Sequence, residues 1–171
     1  MNEGTRMLQF EQASSDDELF LYELYAETRR EELSVLNWQE EQEQAFLRMQ
    51  FDAQRRSYRF QYSELRQEIV MFEQRRAGQL TTAVTEHAVV LVDVTLLPDC
   101  RNQGIGTEII TGLQQHAAAL GLNLRLHVLQ HNRAKRLYDR MGFQVTGEQP
   151  PYLSMEWKLP DSQSYYAEGG E

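Results

Sequence analysis

The sequence predicts an α/β (α+β) fold. A mixed, mostly antiparallel central sheet of about six to seven strands is flanked by about four helices in one domain. Three observations carry this. Residues 1–66 are rich in Glu, Gln and Arg and place aromatics at helical spacing. Residues 67–159 alternate strand and helix signals. Between those signals, a long β-branched run at 87–97 opens onto a glycine-containing loop and a helix.

The 171 residues suffice for one sizeable core. A domain over 1–159 is expected, with a disordered tail from Pro160, where turn-forming and acidic residues have little to bury. No stretch approaches a membrane-spanning apolar run. The N-terminus has no apolar run of the kind a signal peptide needs, so a cytoplasmic location is expected. The net charge of −9 argues against nucleic acid as a partner, which needs a basic surface, and suits a neutral or cationic acceptor. The single cysteine, Cys100, cannot form an internal disulfide, and no neighbouring base marks it as a nucleophile.

The elements follow in order. Ser14 to Asp17 are N-cap residues for a first helix, with Leu19, Tyr22, Leu24, Tyr25 and Ala26 as its apolar face. Residues 30–38 read as a connection. A second helix fits 39–56, with Ala45, Phe46, Met49 and Phe51 along one side. Alternation of Tyr58, Phe60 and Tyr62 suggests an extended segment over 57–63. Glu68–Glu73 and Leu80–Thr85 flank Arg75-Arg76-Ala77-Gly78 and read as a hairpin. The continuous run His87–Leu97 reads as a strand buried on both faces, ended by Pro98. Thr107–Leu120 is helical and stops at Gly121. Leu122–Leu129 is a strand, 133–141 a short helix, and 143–146 with 152–159 a closing strand pair.

Arg101-Asn102-Gln103-Gly104-Ile105-Gly106-Thr107 joins the buried strand to a helix. Glycines there let the backbone turn tightly, and the free amides of a first helical turn attract pyrophosphate. The loop is neither a P-loop, since no Lys follows the second glycine, nor a dinucleotide fingerprint, since Ile109 stands where the third glycine belongs. Downstream, Ala134, Leu137 and Tyr138 share one face of the short helix, and Asn132 is placed as its N-cap. A tyrosine near a ligand can donate a proton or a hydrogen bond.

An RxxGxG loop after a strand ending Leu-Leu-Pro, followed by Asn-x-Ala-x-x-Leu-Tyr-x-x-x-Gly-Phe, resembles the GNAT superfamily of N-acetyltransferases. The resemblance implies a GNAT-like fold and an acyltransferase that uses acetyl-CoA as co-substrate; no residue cluster has metal-ligand spacing, so no metal is expected. It implies that amides of Asn102, Gln103, Gly104, Ile105, Gly106 and Thr107 bind the coenzyme A pyrophosphate. It implies that Val94, Thr95 and Leu96 pair with the pantetheine arm, that Asn132 hydrogen-bonds it, and that Tyr138 sits near the thioester sulfur. Many members have Asn seven residues before this Tyr, where this chain has His131. The catalytic Glu of some members has no counterpart in Ala88–Val92. Asp93 is the nearest carboxylate, and alternation sends it to the opposite face, so a structural ion pair is expected for it. Other members carry a Glu base on the strand before the last helix, and His127, whose imidazole can act as a base, falls close to that position. His87 and His116 read as surface residues.

The expected reaction is direct transfer of acetyl to a primary amine of a small molecule or peptide in a ternary complex. Trp38, Tyr58, Tyr62 and Tyr152 are the aromatic candidates for lining the acceptor site. The competing readings are an acyl-CoA sensor without catalysis and an interaction module on the same scaffold. A homodimer would form through exposed strand edges or the N-terminal helices.

Overall fold

The structure, a computed structural model, describes residues 7–161. The tail expected to be disordered lies, from residue 162 onward, outside the described residues. The chain runs β1 (Leu8–Gln12), α1 (Glu18–Leu33), α2 (Glu40–Gln61), β2 (Leu65–Phe72), β3 (Arg75–Val84), β4 (Ala88–Leu96), α3 (Ile105–Leu120), β5 (Asn123–Leu129), α4 (Ala134–Arg140), β6 (Gln144–Gln149) and β7 (Tyr152–Trp157). The seven strands form one mixed sheet in the order β1-β2-β3-β4-β5-β7-β6. Among the described residues no helix is long and apolar enough to cross a membrane. They divide into two compact units, 7–85 with 91–105, and 86–90 with 106–161.

In the first unit, β1 pairs antiparallel with β2, and β2 with β3. The entry to α1 is fixed by Asp17, whose Oδ2 accepts from the Ser14 amide at 2.9 Å. Its Oδ1 accepts from Arg76 Nη2 at 2.6 Å. Leu21, Phe51 and Ile69 form the centre of the core, with Phe20, Tyr22, Tyr25 and Met71 packed around it. Full burial of side chains of this size is worth about 1.5–3 kcal/mol each. Tyr22 and Tyr25 hold Phe51 at ring-centroid distances of 5.6 and 5.5 Å.

Several local expectations are corrected here. Strand β1 is absent from the sequence expectation, because an edge strand with four of its five residues exposed leaves almost no apolar alternation. Segment 30–38 is not simply a connection, since α1 continues to Leu33 and a 3-10 turn follows over Ser34–Leu36. The stretch 57–61 is helix, the last turn of α2, rather than extended. Phe60 there is 96% exposed, so the aromatic alternation reflects no buried strand face. Helix α2 buries Leu47 and Phe51 and leaves Met49 exposed. Helix α1 buries Leu21, Leu24 and Ala26 and leaves Leu19 exposed. The hairpin turns at Glu73-Gln74, both at positive φ (51° and 65°), and Arg75 to Gly78 already belong to β3. A bulge at Ala77 shifts the register between Val70 and Met71.

In the second unit, β7 lies between β5 and β6 and pairs antiparallel with both. Strand β5 alternates as its sequence dictates, with Leu124, Leu126 and Val128 buried and Arg125, His127 and Leu129 exposed. Helix α3 buries Ile109, Ile110, Leu113 and Ala117 at helical spacing. It ends on Gly121 at φ +67°, with the Leu122 amide donating to Ala117 O at 2.9 Å. Gln114 Nε2 donates to Met141 O at 2.7 Å and ties α3 to the end of α4.

Candidate active site

Residues Ala88 to Leu91 of β4 are buried, while Val92 to Leu96 are only half-buried. Within the first unit, the end of β4 is pressed close to β3. A Cβ on Gly78 would stand 2.0 Å from Thr95 O, closer than any real contact. The Leu97 amide donates to Ala77 O at 2.8 Å, and Pro98 then turns the chain away. Beyond it the loop is braced by its own side chains. Arg101 Nε donates to Leu96 O at 3.1 Å, and Gln103 Nε2 to Asp99 O at 2.7 Å. Asp99 in turn pairs with Arg75 at 3.0 Å, which holds its carboxyl below the usual range. Asn102 (φ 59°) and Gly104 (φ 80°) take left-handed conformations, and α3 begins at Ile105. Asn and Gly are the residues that tolerate this backbone. The loop amides therefore precede a helix N-terminus, the arrangement that attracts anions. Cys100 is buried, which pushes its thiol up, and it carries no sign of activation.

The second unit holds Gly106, Thr107, His127, Asn132 and Tyr138. Gly106 lets α3 approach α4, since a Cβ there would meet Leu137 Cδ2 at 2.9 Å. Asn132 Oδ1 accepts from the Ala134 amide at 2.9 Å, so its oxygen caps α4 and its Nδ2 remains for other work. Tyr138 is buried, its ring 5.6 Å from that of Phe143. His127 is exposed, with Nδ1 3.0 Å from Ser154 Oγ on the neighbouring strand. It points to the face of β5 opposite Leu126 and Val128.

A cavity of about 60 Å³ opens in the first unit between α1, α2 and the sheet. Tyr25, Phe51 and Tyr58 supply aromatic wall, and Gln79, Thr81 and Thr95 polar floor. The carboxylate on that floor is Asp93, for which the sequence suggests a structural ion pair. Its hydrogen bond comes instead from a neutral amide, Gln79 Nε2, at 2.7 Å. Burial raises its pKa to about 6, against the opposing pull of the Gln79 hydrogen bond and the Arg29 guanidinium. Arg29 stacks over Tyr25 at 4.7 Å. Of the aromatic lining expected from sequence, Tyr58 is in this wall. Trp38 packs edge-on against Phe46 at 4.9 Å instead, Tyr62 caps the end of α2, and Tyr152 stands half-exposed on β7. Alternation along β4 is the signal that could have found Asp93. Its side chain leaves the face of Val92 and Val94, and that other face is the one α1 and α2 cover.

A family model described as an acetyltransferase (GNAT) domain matches residues 32–152. The chain belongs to the GNAT acetyltransferase family. It is accordingly an acyltransferase by family. Solved structures show the same fold. The PaiA N-acetyltransferase of Thermoplasma acidophilum, in complex with coenzyme A, is 17% identical with a TM-score of 0.68, over 89% of this chain and 99% of that one. A GNAT-family acetyltransferase of Staphylococcus aureus is 12% identical with a TM-score of 0.63, over 90% and 100%. The spermidine N-acetyltransferase of Vibrio cholerae, in complex with CoA and spermine, is 16% identical with a TM-score of 0.58, over 87% and 92%. No curated protein matches this GNAT chain. Among the described residues no group of three or more His, Cys, Asp or Glu side chains is placed to hold a metal ion.

Proposed function

We propose that this GNAT protein transfers the acetyl group of acetyl-CoA to a primary amine of a small molecule or peptide, directly and within a ternary complex. Support for the donor comes from the braced loop of 101–104 opening onto α3, and from coenzyme A in two structures of the same fold. Support for an amine acceptor comes from the carboxylate in the cavity, the observation that carries the reading.

The residues fit the donor. Amides of Asn102, Gln103, Gly104, Ile105, Gly106 and Thr107 would hold the pyrophosphate. Val94, Thr95 and Leu96, with Nδ2 of Asn132, would hold the pantetheine arm. Bound acetyl-CoA supplies the activated thioester. The chain's own groups then handle protons. The amine nitrogen forms its bond to the acetyl carbon as the carbon–sulfur bond breaks. One amine proton leaves to a base, and the sulfur takes one proton, so acetyl-CoA and amine become amide and free thiol. Asp93 is the proposed proton acceptor, because a carboxylate with a pKa near 6 is ionised at neutral pH yet basic enough to share a proton. His127 is the second candidate, with Nε2 the nitrogen left when Nδ1 engages Ser154. Tyr138 is the proposed donor to the sulfur. A cytoplasmic setting, without membrane or nucleic acid as partner, belongs to the same reading.

Thermal unfolding with acetyl-CoA tests the donor site. A ligand at about a hundred times its dissociation constant adds about 2.7 kcal/mol, a clear rise in Tm. No shift at millimolar acetyl-CoA would remove the donor from the proposal.

A further inference from the structure

The charges around the cavity point to a class of acceptor. The chain as a whole is acidic, at −9, but the cavity lining is not. Its charged residues are Asp93, Arg55 and Arg59. Arg55 is already engaged, with Nη1 3.3 Å from Glu18 Oε1 and its guanidinium 5.2 Å over the Phe51 ring. Arg59 lies one helical turn further along α2 on the same side, and it is exposed. Among the described residues it has no ion pair. The lining therefore offers one carboxylate on the floor and one uncommitted guanidinium at the wall. The volume of about 60 Å³ has room for an amine head and a few further heavy atoms.

A polyamine fits this poorly. Its first ammonium would meet Asp93, and its next would meet arginine. A plain alkylamine would leave Arg59 without a role. We propose that the acceptor is an amino carboxylate, a small molecule whose amine is engaged by Asp93 and whose carboxylate is engaged by Arg59. Guanidinium suits this because it presents a planar fork of donors to a carboxylate. The aromatic wall of Tyr25, Phe51 and Tyr58 would cover the apolar part between the two charges. The inference rests on the transferase reading above and sharpens its acceptor.

The test pairs each amino carboxylate with the amine lacking only the carboxylate. γ-Aminobutyrate is set against propylamine, and β-alanine against ethylamine, with spermidine as the polycation. Thiol release from acetyl-CoA gives kcat/KM for wild-type and Arg59→Gln, and calorimetric titration in the presence of CoA gives affinity for the same compounds. Charge-assisted hydrogen bonds of this kind predict a preference of about tenfold to a hundredfold for at least one amino carboxylate over its partner. Arg59→Gln should collapse that ratio toward one. Spermidine or a plain amine matching the amino carboxylates, or a ratio untouched by Arg59→Gln, overturns the inference while leaving the transferase reading standing. Absence of thiol release with every amine strikes the transferase reading instead. The titrations then decide the inference: binding lost in Arg59→Gln supports it, and no binding to wild-type overturns it.

Discussion

Gln79 Nε2 donates a 2.7 Å hydrogen bond to Asp93 Oδ2 on the floor of a cavity walled by aromatic rings. The contact keeps the carboxylate oriented without neutralising it. A cationic partner in the same place would have driven the pKa down, whereas burial with a neutral donor leaves it at about 6.

That shift has opposite consequences for stability and for activity. The folded-state pKa of Asp93 lies above its unfolded value of 3.8. The native state therefore binds the proton more tightly, and this group's contribution to stability is lost as pH rises from about 4 through 6. Asp93→Asn should stabilise the protein at neutral pH by as much as roughly 3 kcal/mol, with the difference vanishing near pH 4. The same variant should lose acetyl transfer by about 10²–10⁴-fold. Wild-type kcat/KM should fall as pH drops through about 6. Chemical denaturation at the two pH values and a pH–rate profile check these statements. A destabilised variant at neutral pH would contradict the first.

Gly78 and Gly112 separate two uses of glycine. A Cβ on Gly78 would strike the Thr95 carbonyl, a backbone atom that cannot step aside. Gly78→Ala should cost about 1–3 kcal/mol and raise the KM for acetyl-CoA, because the end of β4 must move. A Cβ on Gly112, in α3, would meet nothing within 4 Å. Gly112→Ala should stabilise by about 0.5–1 kcal/mol with unchanged kinetics. Equilibrium unfolding of both variants reads the contrast.

Asn132 is expected to do two things with two atoms. Its Oδ1 caps α4 through the Ala134 amide, and its Nδ2 is assigned to the pantetheine arm. Asn132→Asp keeps the acceptor and removes the donor, so KM for acetyl-CoA should rise while stability holds. Asn132→Ala removes both and should cost about 1 kcal/mol as well. Equal loss of stability in the two variants would break the assignment.

Tyr138→Phe retains the ring that packs on Phe143 and removes only the hydroxyl. If that hydroxyl supplies the proton to the departing sulfur, kcat should fall by about 10²–10⁴-fold with acetyl-CoA affinity retained. Stopped-flow or steady-state thiol release measures it, and full activity across the pH range would exclude the role.

The parts of the fold legible in the sequence are those with strong local causes. The alternation of β5, the stop at Gly121 and the tight turn at Gly104 follow from side-chain period and backbone freedom, while the left-handed turn at Asn102 is seen only in the structure. Strand β1 is held by pairing to β2, at positions such as Leu8 opposite Phe72, and such pairing leaves little trace in five consecutive residues. The turn at Glu73-Gln74 is hidden because neither residue is a usual turn former, while Gly78 nearby looks like one. Gly78 is instead needed for close approach to Thr95, a contact 17 residues away that no local pattern reveals. Asp93 is visible as a carboxylate off the expected face. What the sequence does not carry is that α1 and α2 leave a cavity over it.

The most direct measurement is the stoichiometry of product formation by the purified chain with acetyl-CoA and a panel of amines. Mass spectrometry identifies the acetylated amine, and thiol titration counts the CoA released. One acetylated amine per thiol is expected with an accepted amine, formed about 10²–10⁴-fold more slowly in Asp93→Asn. Tight acetyl-CoA binding with no acetylated product from any amine would contradict direct transfer.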